Sequence, residues 1–270
     1  MSVTYVDAGG YPAGFLEDIR GEDFEITYRR FGAVAQISFS RPANNHFSIG
    51  LIQSLADTFE RADEDPSVRA TVLASEGKHF CAGADLLNSA REPAKLYEQG
   101  IRLFALTKPM VAAVQGAAIG GGLGLALVAD FRVVAPSSRL AANFVKLGTH
   151  PGFGITYTLP RMVGRQAAAD ILLTGRRLTG QEAVECGLAD RIVSEHDLRD
   201  SALALAAAIA ENAPLAVEAT RSTLRDGLAD RVRQQTTLEA GKQMQLFTTE
   251  DYAEGVRAVA ERRPGVWTRS

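Results

Sequence analysis

The stretches KHFCAGADL, residues 78–86, and VQGAAIGGGLGLAL, residues 114–127, are runs of small residues that each follow a short apolar segment of strand length. In α/β folds the carboxyl ends of the strands line a ligand crevice. The triple glycine 120–122 leads into a helical stretch, and the first amides of a helix can bind an oxygen that gains negative charge. Tight helix packing would explain either stretch alone, but the pair predicts a site built from main-chain groups.

The segments around these stretches alternate between strands and helices. Residues 24–28 alternate polar and apolar side chains, and residues 34–39 read as their hairpin partner. Ser48 is placed to cap a helix that runs to about Asp63. Further apolar runs of strand length include residues 131–135. This alternation predicts a wound α/β core with a largely parallel sheet.

The two ends of the chain differ from this core. Residues 1–23 are mixed and glycine-bearing, and we expect them to form a loose extension. After about residue 164 the sequence becomes mainly helical, which predicts a subdomain that packs on the core or on another subunit. The predicted helices are 167–174, 180–186, 197–211, 214–227, 231–246 and 249–262.

Composition and common motifs exclude several classes of function. The net charge is −3 and no basic stripe occurs, which argues against nucleic-acid binding. No P-loop, G-x-G-x-x-G, G-x-S-x-G or H-E-x-x-H motif is present, and the four histidines lack metal-ligand spacing. The N-terminus has no signal-peptide pattern, and the longest apolar stretch, 116–129, is too short and glycine-rich to span a bilayer. Cys81 and Cys186 are expected to be free thiols, and the protein to be soluble and cytoplasmic.

The order F-C-A-G-A-D-L and then Q-G-x-x-I-G-G-G resembles the crotonase (enoyl-CoA hydratase/isomerase) superfamily. GTHPGFG at 148–154 resembles its G-x-x-P-G-x-G segment, and LLTGRRL at 172–178 resembles its L-L-T-G stretch; the resemblance covers roughly residues 24–265. It implies an α/β fold with a crotonase-like ββα spiral core at 24–200. It also implies an N-terminal extension at 1–23 and a helical C-terminal trimerisation region at 201–270.

The resemblance implies a coenzyme A thioester as substrate, with no metal or redox cofactor, and a homotrimer or hexamer. Family members hold the thioester oxygen between two backbone amides, which correspond here to Ala82 and Gly121. The coenzyme A contacts implied by the motifs are Ala43, Asn45, Phe80, Ala82, Gly83, Ala84, Asp85, Leu86 and Gly121. Near the C-terminus, Phe247, Tyr252 and Trp267 are candidates for interface or coenzyme A contacts, with local packing as the alternative.

The sequence departs from the family at the two glutamates of a hydratase. The resemblance places these glutamates at Gly124 and Phe144, so both carboxylates are missing. Paired carboxylates position water and move its proton during hydration, so ordinary hydration should be very slow or absent. Phe144 is expected to narrow and dry the acyl pocket.

Other residues are candidates to replace the missing carboxylates. His150 is the first, because imidazole titrates near neutral pH and the resemblance places its loop beside the acyl group. Thr149 is a candidate to hydrogen-bond substrate or water. Weaker candidates, each with a structural explanation as an alternative, are His46, His79, Asp130 and Cys81.

Three functions therefore stay open. The first is an acyl-CoA or enoyl-CoA enzyme that stabilises a thioester enolate, with isomerisation, C–C cleavage and thioester hydrolysis as possible reactions. The second is an acyl-CoA binding protein of the same fold with little or no catalysis. The third is a structural subunit of a larger fatty-acid complex.

Overall fold

The computed structural model describes residues 13–84 and 92–270, with side chains from residue 16 onward. The predicted coenzyme A contacts Asp85 and Leu86 lie outside the described residues. The strands are β1 Ala13–Arg20, β2 Glu25–Phe31, β3 Val34–Ser40, β4 Ala70–Ser75, β5 Met110–Val114, β6 Ala117–Ile119, β7 Phe131–Val134, β8 Arg139–Ala141, β9 Leu178–Thr179 and β10 Arg191–Ile192. The helices are α1 Ile49–Glu64, α2 Pro93–Phe104, α3 Gly121–Ala126, α4 Ile155–Thr174, α5 Gly180–Glu185, α6 Leu198–Ala210, α7 Pro214–Leu224, α8 Leu228–Leu246 and α9 Glu250–Ala260, with a 3-10 helix at Asn143–Leu147.

The main sheet has seven strands in the order β1-β2-β3-β4-β5-β7-β10. The first three strands pair antiparallel, and every pairing from β3 to β10 is parallel. The strands β4 and β5 are buried at every position, as expected for inner parallel strands covered on both faces. The predicted hairpin and the largely parallel α/β sheet are confirmed.

The expectation of a loose N-terminal extension is wrong for residues 13–20. These residues form β1, which pairs with β2 in the register Ile19↔Ile26. The pairing gives the outer edge of β2 the backbone hydrogen bonds that it would otherwise lack. Residues 1–12 lie outside the described part of the chain.

Local sequence signals locate the helices well. Ser48 caps α1 as predicted, and its side chain accepts a hydrogen bond from the Leu51 amide at 3.2 Å. The change in character near residue 164 coincides with a break in α4, where Gly164 has non-helical angles (φ 79°, ψ 163°). The helix predicted at 167–174 is the second half of α4, whose first half was not predicted.

A second, three-stranded sheet of β6, β8 and β9 was not predicted. Its strands are two or three residues long, and they pair across long separations in sequence. Segments this short carry no readable periodicity. This sheet matters for function because β6 leads directly into α3 and the triple glycine.

The C-terminal helices divide between the two sides of the main sheet. Leu198, Ala202 and Ala206 of α6 bury against β-strand residues such as Val72 and Val111. By contrast, α8 packs against α2 and α4, and α9 packs against the 3-10 helix. Among the described residues no single helix is long and apolar enough to cross a membrane, although the sharply bent pair α6 and α7 passes that test by length and composition alone.

Candidate active site

Backbone hydrogen bonds join the two small-residue stretches. The Cys81 amide donates to the Ala117 carbonyl at 2.9 Å, and the Ile119 amide donates to the Cys81 carbonyl at 3.0 Å. Residues 82–84 therefore run beside residues 119–121, as the two motifs together predict. The Gly120 amide donates to the Ala141 carbonyl of β8 at 2.7 Å, so the small sheet also fixes the start of α3.

This close approach requires glycine. A Cβ atom at Gly122 would lie 2.1 Å from the Cys81 carbonyl oxygen, which is far inside van der Waals contact. Gly83 has a φ of +102°, and a Cβ there would lie 3.0 Å from the Ile119 carbonyl oxygen. The small residues of both stretches thus serve to bring two main-chain segments together.

A cavity of about 530 Å³ opens onto these segments. Its main-chain wall is formed by the two joined stretches, and its apolar wall comes from α2, the 3-10 helix and the C-terminal helices. The larger apolar side chains are Phe47, Pro93, Leu96, Tyr97, Ile119, Phe144, Leu147, Phe247 and Val259. The polar side chains are Asn44, His46, His79, Ser137, Asn143, Thr149 and Gln243, and the cationic ones are Lys78, Arg139 and Arg177.

The two amides predicted to bind an oxygen differ in their present partners. Ala82 and Gly121 both line the cavity. The Gly121 amide has no hydrogen-bond partner within the described ranges, whereas the Ala82 amide donates to the Asn44 carbonyl at 3.1 Å. A ligand oxygen could accept directly from the Gly121 amide. At Ala82 it would have to share the amide with the Asn44 carbonyl or replace that carbonyl as acceptor.

Neither Gly124 nor Phe144 has a polar side chain to offer the cavity. A Cβ at Gly124 would lie 2.7 Å from the Cβ of Phe153, so this phenylalanine occupies the space of a side chain at position 124. Phe153 is 2% exposed, and its ring contacts Phe47 with centroids 5.6 Å apart. Phe144 lines the cavity beside Gly120. No aspartate or glutamate is among the cavity residues in the described part of the chain.

The loop after the 3-10 helix separates the two best catalytic candidates. Thr149 lines the cavity, is only 5% exposed, and its Oγ1 has no hydrogen-bond partner among the described residues. His150 does not line the cavity, and its Nδ1 donates to the Pro151 carbonyl at 2.7 Å. Consecutive side chains of this loop point in different directions, so Thr149 borders the cavity and His150 does not.

Two weaker histidine candidates do border the cavity. His46 lines it, and its Nδ1 is buried without a partner in the described ranges. His79 lines it too, and its Nδ1 accepts a hydrogen bond from the Ala117 amide at 3.1 Å. Burial, with a smaller effect from Lys78, lowers the pKa of His79, so its ring is neutral near neutral pH.

Several predicted contact residues have structural roles instead. Ala43 is exposed and Phe80 is buried against Phe39, and neither lines the cavity. Asn45 also lies outside the lining, because its side-chain amide donates to the carbonyls of Glu76 and His79 at 2.7 and 2.8 Å. The predicted contacts Gly83 and Ala84 do line the cavity.

The remaining candidate residues make structural contacts or have an unreactive side chain, apart from Phe247. Asp130 pairs with Arg221 and Arg225, each at 2.8 Å. Burial raises the pKa of Cys81 to about 12, so its thiol is not a nucleophile. Near the C-terminus, Phe247 lines the cavity and contacts Tyr252 with ring centroids 4.7 Å apart, while Trp267 is not part of the lining.

Sequence reasoning missed a group of hydrogen-bonded residues in the cavity wall. The Tyr97 hydroxyl of α2 donates to Gln243 Oε1 of α8 at 2.7 Å, and Gln243 Nε2 donates to the His150 carbonyl at 2.8 Å. Asn143 also lines the cavity without having been predicted. No local pattern marks these residues, because they meet only when α2, α8 and the 3-10 helix pack together.

Comparisons with known proteins agree with this geometry. A family model described as enoyl-CoA hydratase/isomerase matches residues 29–270. A carnitinyl-CoA dehydratase of Proteus mirabilis is 34% identical over 254 residues, covering 87% of this chain and 95% of the relative. An enoyl-CoA hydratase of Mycobacterium tuberculosis is 32% identical over 246 residues, covering 87% of this chain and 92% of the relative.

Solved structures give the same result for the fold. The structure of a carnitinyl-CoA dehydratase from Mycobacterium avium 104 superposes with a TM-score of 0.81 at 33% identity, covering 91% of this chain and 99% of that one. An enoyl-CoA hydratase/isomerase from Pseudoalteromonas atlantica T6c also gives a TM-score of 0.81, at 27% identity, covering 90% of this chain and 99% of that one. The chain therefore belongs to the enoyl-CoA hydratase/isomerase family of acyl-CoA enzymes and has its crotonase fold.

Proposed function

We propose that this protein binds an acyl-CoA or enoyl-CoA thioester in the 530 Å³ cavity and stabilises negative charge on the thioester oxygen. The observation that carries the proposal is the Gly121 amide on the cavity wall, which has no partner among the described residues, with residues 82–84 held beside it. Each amide placed to receive developing charge is worth about 2.7–4 kcal/mol in oxyanion holes of other enzymes. Ala82 would be the second donor once its bond to Asn44 is shared or exchanged.

The charge around the cavity supports coenzyme A as the carrier of the acyl group. Lys78, Arg139 and Arg177 line the cavity and are exposed. No ion pair engages any of the three within the described part of the chain. Cations of this kind are suited to the phosphate groups of coenzyme A. The coenzyme would arrive as part of the substrate, with no further cofactor.

The missing carboxylates limit the reaction. We propose that the enzyme does not hydrate by the two-glutamate route, because Gly124 and Phe144 can neither position water nor transfer its proton. Isomerisation, C–C cleavage and thioester hydrolysis all pass through an enolate or oxyanion and need only the amide donors in common. An acyl-CoA binding protein with little catalysis is the second candidate, favoured by the bond that already occupies the Ala82 amide.

Crotonyl-CoA hydration, followed by loss of the enoyl absorbance, is expected to be at least about a thousandfold slower than in a family member with both glutamates. A parallel titration should give tighter binding of crotonyl-CoA than of free coenzyme A. Exchange of the α-hydrogens of butyryl-CoA in D₂O then separates an enolate-forming enzyme from a binding protein. Fast hydration would show that another group replaces the glutamates and would refute this part of the proposal.

Replacing Thr149 with valine is expected to raise the free energy of unfolding of the ligand-free protein by roughly 0.5–1 kcal/mol, because it removes a buried hydroxyl that has no partner among the described residues, without changing the shape of the side chain. The same change should weaken binding of 3-hydroxybutyryl-CoA by about tenfold and of butyryl-CoA much less, because only the former can pair with Oγ1. Thermal unfolding and calorimetric titration measure the two effects. Thr149→Ser, which keeps the hydroxyl, is the control, and equal effects on both ligands would mean that Oγ1 does not contact substrate.

We also propose that the protein forms a homotrimer or hexamer through its C-terminal helices. Several apolar side chains of this region are largely exposed, namely Leu215, Leu224, Leu238, Met244 and Trp267. Their burial between subunits would remove this apolar surface from water.

A further inference from the structure

Glu239 of α8 is a fully buried carboxylate, with 0% exposure, that lies outside the cavity lining. Its Oε2 accepts a hydrogen bond from the Gly154 amide at 2.7 Å, and its Oε1 accepts one from the Thr156 amide at 3.0 Å. The Thr156 hydroxyl also donates to Oε1 and itself accepts from Gln235 at 2.7 Å. Glu239 therefore binds the first amides of α4 across the space between two helices.

Gln243 lies one turn further along the same face of α8. It donates to the His150 carbonyl at 2.8 Å and accepts from the Tyr97 hydroxyl at 2.7 Å. Glu239 and Gln243, which we call the α8 clamp, thus hold the loop 150–154 at both ends. The loop packs closely on Tyr97, because a Cβ at Gly152 would lie 1.8 Å from the Tyr97 hydroxyl oxygen.

The clamped loop determines the packing around the Gly121 amide. Phe153, next to Gly154, fills the space beside Gly124 and packs on Phe47 at 5.6 Å between ring centroids. Phe47 in turn lies against Gly121, where an added Cβ would be 2.4 Å from its Cζ. A continuous series of contacts therefore runs from Glu239 through Phe153 and Phe47 to the proposed oxyanion donor.

We infer that Glu239 and Gln243 are positioning residues that hold the loop 150–154 so that Phe153 and Phe47 fix the acyl end of the cavity beside Gly121. The inference rests on the proposed function, because it assigns the clamp to the site that would bind the thioester. Glu239 lies outside the cavity lining and acts only through the loop. Gln243 lines the cavity, but its side-chain oxygen and nitrogen are already bonded to Tyr97 and to the His150 carbonyl. The carboxylate form of Glu239 is the form that pairs both backbone amides, because a protonated carboxyl retains only one good acceptor oxygen.

The surroundings of Glu239 make its charge responsive to pH. Burial raises its pKa to about 7, although the bonds from Thr156 and Gly154 favour the charged form. The titratable group that faces it is the Tyr97 hydroxyl of α2, whose own pKa is raised by burial, while Gln235 and Gln243 are neutral. Lys95, Glu98 and Arg233 line the outer groove between α2 and α8 and are exposed.

The direction of the pH effect follows from this raised pKa. The unfolded carboxyl ionises near its ordinary pKa of 4.5, so the folded state loses stability as pH rises from there to about 7. The hydrogen bonds of the clamp depend on pH in the opposite sense, because Glu239 pairs the amides of both Gly154 and Thr156 only above about pH 7. Below that pH the fold is retained, but one of the two amides loses its acceptor.

The test compares binding of crotonyl-CoA and of free coenzyme A by calorimetry at about pH 6 and about pH 8. The difference between the two ligands isolates the acyl end, because their phosphates ionise alike. In the parent protein the preference for crotonyl-CoA should rise about tenfold between the two pH values, as expected for a site coupled to a single titration. Glu239→Gln should show the lower preference at both pH values, since its amide nitrogen faces one of the backbone N–H groups.

Thr58→Val is the matched control, because it removes a buried hydroxyl bonded within α1, to the Ser54 carbonyl at 2.7 Å, without touching the clamp. It should retain the parent pH dependence. Hydrogen exchange of the segment 149–158, corrected for intrinsic rates, should be faster in Glu239→Gln than in Thr58→Val. Equal exchange in the two variants, or parent-like pH dependence in Glu239→Gln, would overturn the clamp.

The two proposals fail in different ways. If crotonyl-CoA binds no better than coenzyme A at either pH, the proposed function fails, and hydrogen exchange alone still decides whether Glu239 holds the loop. If crotonyl-CoA binds better than coenzyme A but this preference changes neither with pH nor in Glu239→Gln, the proposed function stands and the clamp is rejected.

Discussion

Replacing Gly122 with alanine is expected to lower the free energy of unfolding by about 3 kcal/mol and to abolish the preference for acyl-CoA over coenzyme A. The added Cβ would sit 2.1 Å from the Cys81 carbonyl oxygen, which also accepts the Ile119 amide at 3.0 Å. The main chain cannot turn aside as a flexible side chain does, so residues 81–83 must move away from residues 119–122. That movement separates the two amides that would share the thioester oxygen.

Gly241→Ala is the matched control for this prediction. Gly241 lies inside α8, and nothing is within 4 Å of an added Cβ. Alanine should therefore stabilise the protein there by roughly 0.5–1 kcal/mol, through the helix preference alone. Denaturant unfolding and calorimetric titration give both quantities. If Gly122→Ala behaves like Gly241→Ala, the close approach of the two stretches is not required for binding.

Introducing a glutamate at position 124 alone is not expected to produce hydratase activity. In Gly124→Glu the new Cβ would lie 2.7 Å from the Phe153 Cβ and 3.0 Å from its Cγ. The change would also bury a carboxylate near Phe153, Phe47 and Tyr97, and we expect a loss of roughly 4–5 kcal/mol in the free energy of unfolding. No crotonyl-CoA hydration should appear, because the carboxylate has no room at the cavity wall.

A double-mutant cycle tests whether Phe153 is the cause. Phe153→Ala alone should cost about 3–5 kcal/mol, as large-to-small core changes do. With Gly124→Glu added, the total loss should be smaller than the sum by about 1–3 kcal/mol, since each change relieves the other. An additive result would mean that the glutamate is disfavoured for a reason other than the ring of Phe153.

The prediction for Gly124 rests on a contact between residues that are far apart in the sequence. Phe153 stands in the GTHPGFG segment, far in sequence from the triple glycine. In the fold it contacts Gly124, so a large residue at one position requires a minimal residue at the other. The sequence reveals both residues, but it does not reveal that they occupy the same space.

Much of the fold follows from local patterns. Several elements agree with the sequence prediction within a few residues, namely the Ser48 cap, the β2–β3 hairpin, the inner strands β4 and β5 and most helices after residue 164. These elements are long or carry side chains whose conformational preference is strong. The strand β1 was missed because pairing with β2, rather than its own sequence, stabilises it. The second sheet was missed because its strands are only two or three residues long.

The sequence likewise predicted only part of the candidate site. Motifs alone identified residues 82–84 and Gly121, because glycines at a close main-chain approach cannot be replaced without a clash. They did not separate Thr149 from His150, since one residue along a loop reverses which side chain faces the cavity. Ala43, Asn45 and Phe80 fit the motif but point elsewhere, because motif position records the main chain and not the direction of a side chain.

The sequence by itself determined the family and indicated the two main-chain stretches of the candidate site. Those features are local, because they depend on which residues are present and on the backbone conformations that those residues allow. The tertiary structure decided which polar groups border the cavity, how Phe153 fills the space beside Gly124, and that Glu239 and Gln243 hold the loop between them. These contacts join residues far apart in the chain, and their energies depend on burial and distance, which only the packed helices and sheets set.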